Sequence, residues 1–196
     1  MTNTRDELYK SGTAPWVIGR PQAAIVELLE AGQLRGRVLD LGCGTAEHAL
    51  LCAERGCEAW GIDLAPTAID QAKELAAKRG LVADLRVHDA LDLVSLGTTF
   101  DTVMDVGFFH TLDDASRPRY AAQLARILNP GGTLHLLCFS DREPPWGGPR
   151  RITERELAET FETAELHVAS VTAKRFERST SAGDAASAWL AGIRKR

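Results

Sequence analysis

The stretch Val38-Leu39-Asp40-Leu41-Gly42-Cys43-Gly44-Thr45-Ala46 constrains this chain more than any other. An apolar run of strand length, Arg37 to Leu41, meets two glycines one residue apart, and an apolar helical pattern follows at Ala46, Ala49, Leu50 and Ala53. That is a strand, a tight turn and a helix. Glycines let the backbone turn sharply and let a ligand approach closely. N–H groups at the following helix start favour a negative or polar ligand edge. Asp40 stands just before the first glycine, at the carboxyl end of the strand, where open α/β sheets bind ligands.

The same unit recurs along the chain. Upstream, Pro21 suits the first turn of a helix with Ala24, Ile25, Leu28 and Leu29 on its apolar stripe, ended by Gly32. Cys57 to Asp63 reads as a second strand, and Pro66 opens a helix with Ile69, Ala72, Leu75 and Ala76 on one face. Val82 to Val87 and Phe100 to Val106 read as the third and fourth strands. A helix marked by Tyr120, Leu124, Ile127 and Leu128 stops at Asn129-Pro130-Gly131-Gly132, and Thr133 to Phe139 forms the fifth strand. Successive β-α units predict a parallel sheet with helices on both faces. Further on, Thr153-x-x-Glu156 is a capping box opening a helix through Phe161, and Leu166 to Phe176 reads as a strand. Ala188 to Ile193 suits a helix end by its alanines, or a strand paired antiparallel with the one before; the strand is preferred. Residues Met1 to Lys10 are polar, a mobile arm or a short helix. No repeat or domain boundary stands out, so residues 1–196 are expected to form one domain with 1–20 as an N-terminal arm or lid.

Acids recur at the ends of successive strands: Asp40, Asp63, Asp89 and Asp105. A dinucleotide fingerprint requires G-x-G-x-x-G. Here the third glycine position holds Glu47, and Asp40 would repel a pyrophosphate. A carboxylate beside a cation is held instead, which suits a cofactor with a positive centre; S-adenosylmethionine, with its ammonium and sulfonium, fits. Asp63, about 20 residues past the turn, is placed to accept both ribose hydroxyls.

The D-x-G-x-G turn, the ordered acids and the Asn129-Pro130-Gly131-Gly132 turn together resemble the Rossmann-like, class I S-adenosylmethionine-dependent methyltransferases, from about Val38 to Phe139 and loosely to the end. The resemblance implies an α/β fold with a seven-stranded, mostly parallel sheet of order 3-2-1-4-5-7-6, strand seven antiparallel. It implies that Gly42 and Gly44 lie against the cofactor's methionine portion and that Asp40 holds its ammonium. Asp63 takes the ribose hydroxyls, Leu64 packs on the adenine, Asp89 and Ala90 hydrogen-bond the adenine, and Asp105 with Val106 lines the methionine end. Pro15-Trp16-x-x-Gly19 is similar to the start of small methyltransferases acting on thiols, thiopurines, halides and heterocyclic toxins, although Val17 stands where many carry an acid. By that likeness Trp16 and Gly19 close over cofactor and substrate; from the residues alone, Trp16 either packs on the core or roofs a pocket.

Methyl transfer from a sulfonium is an in-line displacement, so the protein's task is alignment and exclusion of water. His110, five residues past Asp105, is the candidate catalytic residue, as general base or substrate orienter, against a purely structural role. Phe108, Phe109 and Trp146 are candidate substrate-binding residues, an aromatic pocket for a planar acceptor. The expected activity is methyl transfer to a thiol sulfur, or to an oxygen or nitrogen of a small aromatic or heterocycle. The alternatives are a non-catalytic S-adenosylmethionine-binding protein and an NAD-dependent oxidoreductase. A net charge of -4 gives no basic footprint for nucleic acid. No apolar run is long enough to span a membrane, and no signal peptide opens the chain. Four cysteines without paired C-x-x-C spacing suggest reduced thiols in the cytoplasm and no metal.

Overall fold

The computed structural model describes residues 4–145, 147–179 and 185–196. Helices α1 (Thr4–Ser11) and α2 (Ala23–Glu30) precede strand β1 (Arg37–Leu41). Then come α3 (Glu47–Glu54), β2 (Glu58–Asp63), α4 (Pro66–Arg79), β3 (Asp84–Val87) and β4 (Phe100–Val106). The chain closes with α5 (Ser116–Ile127), β5 (Leu128–Phe139), α6 (Glu154–Phe161), β6 (Leu166–Phe176) and β7 (Ala186–Lys195).

The seven strands form one sheet of order β3-β2-β1-β4-β5-β7-β6. β1 to β5 run parallel, and β7 lies antiparallel between β5 and β6. This is the order and direction the resemblance implied. The order in which strands are added reverses at β1, with β2 on one flank and β4 on the other, so a crevice opens beyond their carboxyl ends.

Strand alternation assigns the two faces. Leu39, Leu41, Val103, Leu134 and Leu136 pack with Tyr120 and Leu124 of α5 and Phe161 of α6. Val38 and Met104 face the other way, onto Ile25, Leu28 and Leu29 of α2. The register places Asp40 beside Met104 and Leu41 beside Asp105, so the two acids point to opposite faces. Side chains such as Leu39 and Ile25 are fully buried, each worth about 1.5–3 kcal/mol by removal from water.

The starts of β3 and β5 differ from the sequence reading. β3 begins at Asp84, where pairing with Trp60 begins, and leaves Val82 90% exposed. β5 begins at Leu128 rather than Thr133; its pairing jumps from Phe100–Leu128 to Thr102–Thr133, so residues 129–132 stand out of the ladder. Pro130 in that excursion has no N–H to offer a neighbouring strand. The polar start is a helix, α1, held by the Asp6 carboxylate, which accepts the Thr67 N–H at the first turn of α4 (2.9 Å). Thr153 and Glu156 form the capping box reciprocally: the Thr153 hydroxyl accepts the Glu156 N–H (3.1 Å), and Glu156 accepts the Thr153 N–H (2.8 Å). Among the described residues no helix is long and apolar enough to cross a membrane.

Candidate active site

The turn after β1 sets the geometry. Gly42 and Gly44 adopt φ of 63° and 53°, the left-handed region that favours glycine. A Cβ on Gly44 would stand 2.7 Å from the Tyr9 hydroxyl, and one on Gly42 would stand 3.3 Å from Phe108. Ala46, at the start of α3, shares the left-handed conformation with φ 62°, local strain of a kind that clusters at functional turns.

Two clefts meet above this turn. The larger, of about 350 Å³, is lined among others by Arg5, Tyr9, Asp63, Leu64, His88 and Ala90. The smaller, of about 50 Å³, runs under the N-terminal segment past Gly44, His48 and Phe176. Trp16, Gly42 and Val106 line both, so the two adjoin at these residues. Leu64 is 52% exposed and offers an apolar shelf. Trp16 is 37% exposed, and its indole Nε1–H donates to the Tyr9 hydroxyl (2.7 Å).

The acids divide by role. Asp63 accepts the Gly44 N–H through Oδ2 (3.0 Å) and the Ala65 N–H through Oδ1 (2.8 Å). Each oxygen keeps a lone pair for a ligand, and burial raises its pKa. Asp40 is buried beneath the turn, and its Oδ2 has no hydrogen-bond partner. Burial, then the charges of Asp105 and Asp63, pushes its pKa up to about 8, against the Ala49 N–H that it accepts. His48 Nε2 accepts the Gln22 N–H (3.1 Å), so its proton sits on Nδ1, which faces Asp40 Oδ2 at 3.8 Å. A buried oxygen without a donor is costly unless a ligand supplies one. Asp89 is half-buried, its Oδ1 accepting the Leu91 N–H (2.8 Å); its neighbours His88 and Ala90 line the cleft.

Two sequence expectations change here. Asp105 does not open into the cleft. Its oxygens accept the Phe108 and Phe109 N–H groups (2.9 and 3.1 Å) and the Tyr120 hydroxyl (2.6 Å), so it caps the turn after β4 from the α5 face. Phe109 follows it inward, fully buried against Tyr120 and Phe161. Phe108 alone of the pair lines the cleft. His110 is buried, stacked on Phe139 with ring centres 4.4 Å apart, and its Nδ1 accepts the Phe139 N–H (3.1 Å). Burial first, then Arg5 and Arg151, lowers its pKa to about 3. Neutral, with Nδ1 accepting, it carries its proton on Nε2 and presents a donor. Trp146 lies outside the described residues.

The sequence reading missed Arg5 and Tyr9, which α1 carries over the cleft, and Phe176 at its far wall. Tyr9, an aromatic in a polar stretch one α-helical segment before Trp16, was the available signal.

The chain matches a family model described as a methyltransferase domain over residues 38–132. It is 40% identical over 148 residues to a 2-heptyl-1-hydroxyquinolin-4(1H)-one methyltransferase of Mycobacteroides abscessus, covering 74% of this chain and 65% of that protein, less than two thirds of its length. It is 28% identical over 153 residues to a probable thiol methyltransferase of Arabidopsis thaliana, covering 77% of this chain and 68% of that one. A solved structure concerned with conversion of a disulfide bond into a thioacetal group during echinomycin biosynthesis superposes with a TM-score of 0.88 at 35% identity, covering 100% of this chain and 93% of that one.

Proposed function

Because this chain belongs to the Rossmann-like, class I S-adenosylmethionine-dependent methyltransferases, we propose that it transfers a methyl group from S-adenosylmethionine to a heteroatom of a small molecule: a thiol sulfur, or an oxygen or nitrogen of an aromatic or heterocyclic compound. The observation that carries the reading is a pair of adjoining clefts over the glycine turn, with Asp63 at the end of β2 in the lining and Asp40 buried beneath the turn with an unpartnered oxygen.

The cleft suits the cofactor's parts. The orphan oxygen of Asp40 is a receptor for a cation, and the ammonium of the methionine portion is the group that would complete it. The backbone at Gly42 and Gly44 admits that portion, since no Cβ intervenes. The free lone pairs of Asp63 match two ribose hydroxyls, and Leu64 and Ala90 offer apolar faces to the adenine beside His88 and Asp89. Bound S-adenosylmethionine supplies an activated methyl on a positive sulfur. Trp16, Tyr9 and Arg5, from the N-terminal 20 residues read as a lid, cover the site and exclude water, so that alignment rather than bond-making is the protein's contribution. Phe108 borders the acceptor's side. The acidic surface balance and the aromatic lining support a small acceptor over nucleic acid, and four unpaired cysteines suit a reducing compartment.

The test is turnover. The protein is incubated with S-adenosylmethionine and either an alkyl thiol or a hydroxyquinolone, and methylated product and S-adenosylhomocysteine are followed by mass spectrometry. Stoichiometric appearance of both is expected. Cofactor binding with no product from any thiol, hydroxyl or ring-nitrogen acceptor would assign a non-catalytic binding role.

A further inference from the structure

We propose that His48 is a positioning residue for the cofactor: held by the Gln22 N–H, it turns its one remaining N–H toward Asp40, sets that carboxylate for the ammonium of the methionine portion, and so couples docking of residues 20–23 to cofactor binding. The role rests on the methyl-transfer reading above, in which Asp40 receives that ammonium.

His48 stands on the first turn of α3 between two buried partners. On one side, its Nε2 accepts the backbone N–H of Gln22 (3.1 Å). On the other, its Nδ1 stands 3.8 Å from Asp40 Oδ2, the oxygen with no hydrogen-bond partner. Burial lowers the pKa of His48 to about 4, so at pH 7 the ring is neutral and carries one proton. A neutral imidazole has one donor nitrogen and one acceptor nitrogen. With Nε2 accepting, the donor is Nδ1, and it faces the acid. The backbone of the N-terminal segment thus fixes the tautomer, as the hydrogen bond at one ring nitrogen commonly does for the other.

Asp40 lacks support for its charge. The ionisable groups around it besides His48 are Asp105 of β4, Asp63 of β2, and the Cys43 and Cys52 thiols, and the two acids oppose its ionisation. The Ala49 N–H favours it. At 3.8 Å the imidazole N–H is beyond the about 2.9 Å of a formed hydrogen bond, so ring and carboxyl face each other without closing. An ammonium at Oδ2 ionises Asp40 and sends the carboxyl proton to solvent. The charged oxygen then draws the Nδ1–H in, because hydrogen bonds to ionised groups are the shorter and stronger ones.

Gln22 is itself latched. Its buried side chain bonds both ways with the Glu177 backbone, Nε2 donating to the carbonyl (2.9 Å) and Oε1 accepting the N–H (2.8 Å). The Glu177 carboxylate accepts two N–H groups from Arg20 (2.9 and 2.7 Å) and the Ala23 N–H (3.2 Å). Residues 20–23 are thereby tied to the residue after β6, and Arg20, Gln22 and His48 line the smaller cleft beside Gly42 and Gly44. The segment fixes the proton of His48 and the cofactor fixes the charge of Asp40, so both events meet in one hydrogen bond. Such coupling is reciprocal.

The test uses the intact chain and two ligands: S-adenosylhomocysteine, which carries the ammonium, and methylthioadenosine, the same nucleoside without it. Both are titrated calorimetrically at pH 7 into the wild type, His48→Leu, His48→Asn, Gln22→Ala and Gln22→Pro. Asparagine puts an amide where Nδ1 stands and keeps a donor toward Asp40. Proline suits the Gln22 φ of −62° and differs from alanine there chiefly by lacking the N–H. His48→Leu is expected to lose about tenfold or more in affinity for S-adenosylhomocysteine, the loss of a hydrogen bond to a charged group, and none for methylthioadenosine. His48→Asn recovers most of that loss. Gln22→Pro binds S-adenosylhomocysteine roughly threefold or more weakly than Gln22→Ala, the loss of one neutral hydrogen bond, while the two bind methylthioadenosine equally. Equal losses for both ligands, undiminished affinity in His48→Leu, or an asparagine variant no better than the leucine one overturns the role and leaves cofactor binding intact. If His48→Leu does not fold, the Gln22 pair decides: equal affinity of the alanine and proline variants for S-adenosylhomocysteine overturns it. A wild-type chain that does not bind S-adenosylhomocysteine overturns the cofactor reading as well.

Discussion

Asp40 links the cofactor to the protein's own stability. With its folded pKa raised to about 8, the ligand-free protein binds more protons than the unfolded chain between roughly pH 4 and pH 8. Stability contributed by this group is therefore greatest at low pH and falls as pH rises through that window. A cation delivered to Oδ2 favours the ionised form, so binding near pH 7 releases a proton. Asp40→Asn should raise the Tm of the ligand-free protein at pH 8, by about 2–4 °C for each kcal/mol of relieved burial cost, and weaken cofactor binding. Scanning fluorimetry at pH 6 and pH 8 measures the first. Calorimetry in buffers of different ionisation enthalpy measures the proton release, which the variant should lack. A variant with unchanged affinity and unchanged proton release would remove Asp40 from the cofactor. At this scale the sequence placed acids at strand ends but not the face each one takes. Asp40 and Asp105 end neighbouring strands, yet the register turns one toward α2 and α3 and the other toward Tyr120. Phe108 and Phe109 divide for the same reason: the turn after Gly107 sends one to the cleft and one to the core, a direction no local pattern encodes.

Among the elements, α1 behaves as an accessory to a fold that does not need it. It packs on α4 and the segment after it, in a small cluster of Tyr9, Ala14, Ala65 and Ala68. Deleting residues 1–11 should leave the sheet intact by circular dichroism. The unfolding cost should be close to a lost helix cap, about 1 kcal/mol, from the Asp6–Thr67 contact. Affinity for S-adenosylhomocysteine should fall at least tenfold, since Arg5 and Tyr9 leave the cleft. Full affinity in the truncated protein would make the N-terminal cover irrelevant to binding. The central β-α units were legible because their apolar runs, proline starts and glycine stops agree. α1 stayed open between a mobile arm and a short helix, because it is held by long-range hydrogen bonds, from the Thr67 N–H to Asp6 and from Gln71 to the Tyr9 carbonyl, and by one aromatic ring. β7 was preferred as a strand over a helix end, and the resemblance supported that choice; Ala186, Ala188, Trp189, Ala191 and Ile193 are all buried, so the two-residue alternation that marks a half-exposed strand is blurred.

For the molecule as a whole, sheet order decides where the site lies. With β1 central and β2 and β4 on its flanks, the carboxyl ends of these strands deliver the glycine turn, Asp63 and the Val106–Phe108 turn to one crevice. Of the helices packed on either face, α3 lends Glu47 and His48 to the smaller cleft, and the N-terminal segment covers the larger. The central claim is that this crevice binds S-adenosylmethionine through Asp63 and the glycine turn. The most direct measurement is calorimetric titration of the intact protein and of Asp63→Ala with S-adenosylhomocysteine, with NADH as a control. One site of micromolar affinity, weakened at least tenfold in the variant by the loss of two buried hydroxyl hydrogen bonds, and no binding of NADH, is the expected result. Binding of NADH without S-adenosylhomocysteine, or a folded variant with undiminished affinity, would contradict the claim.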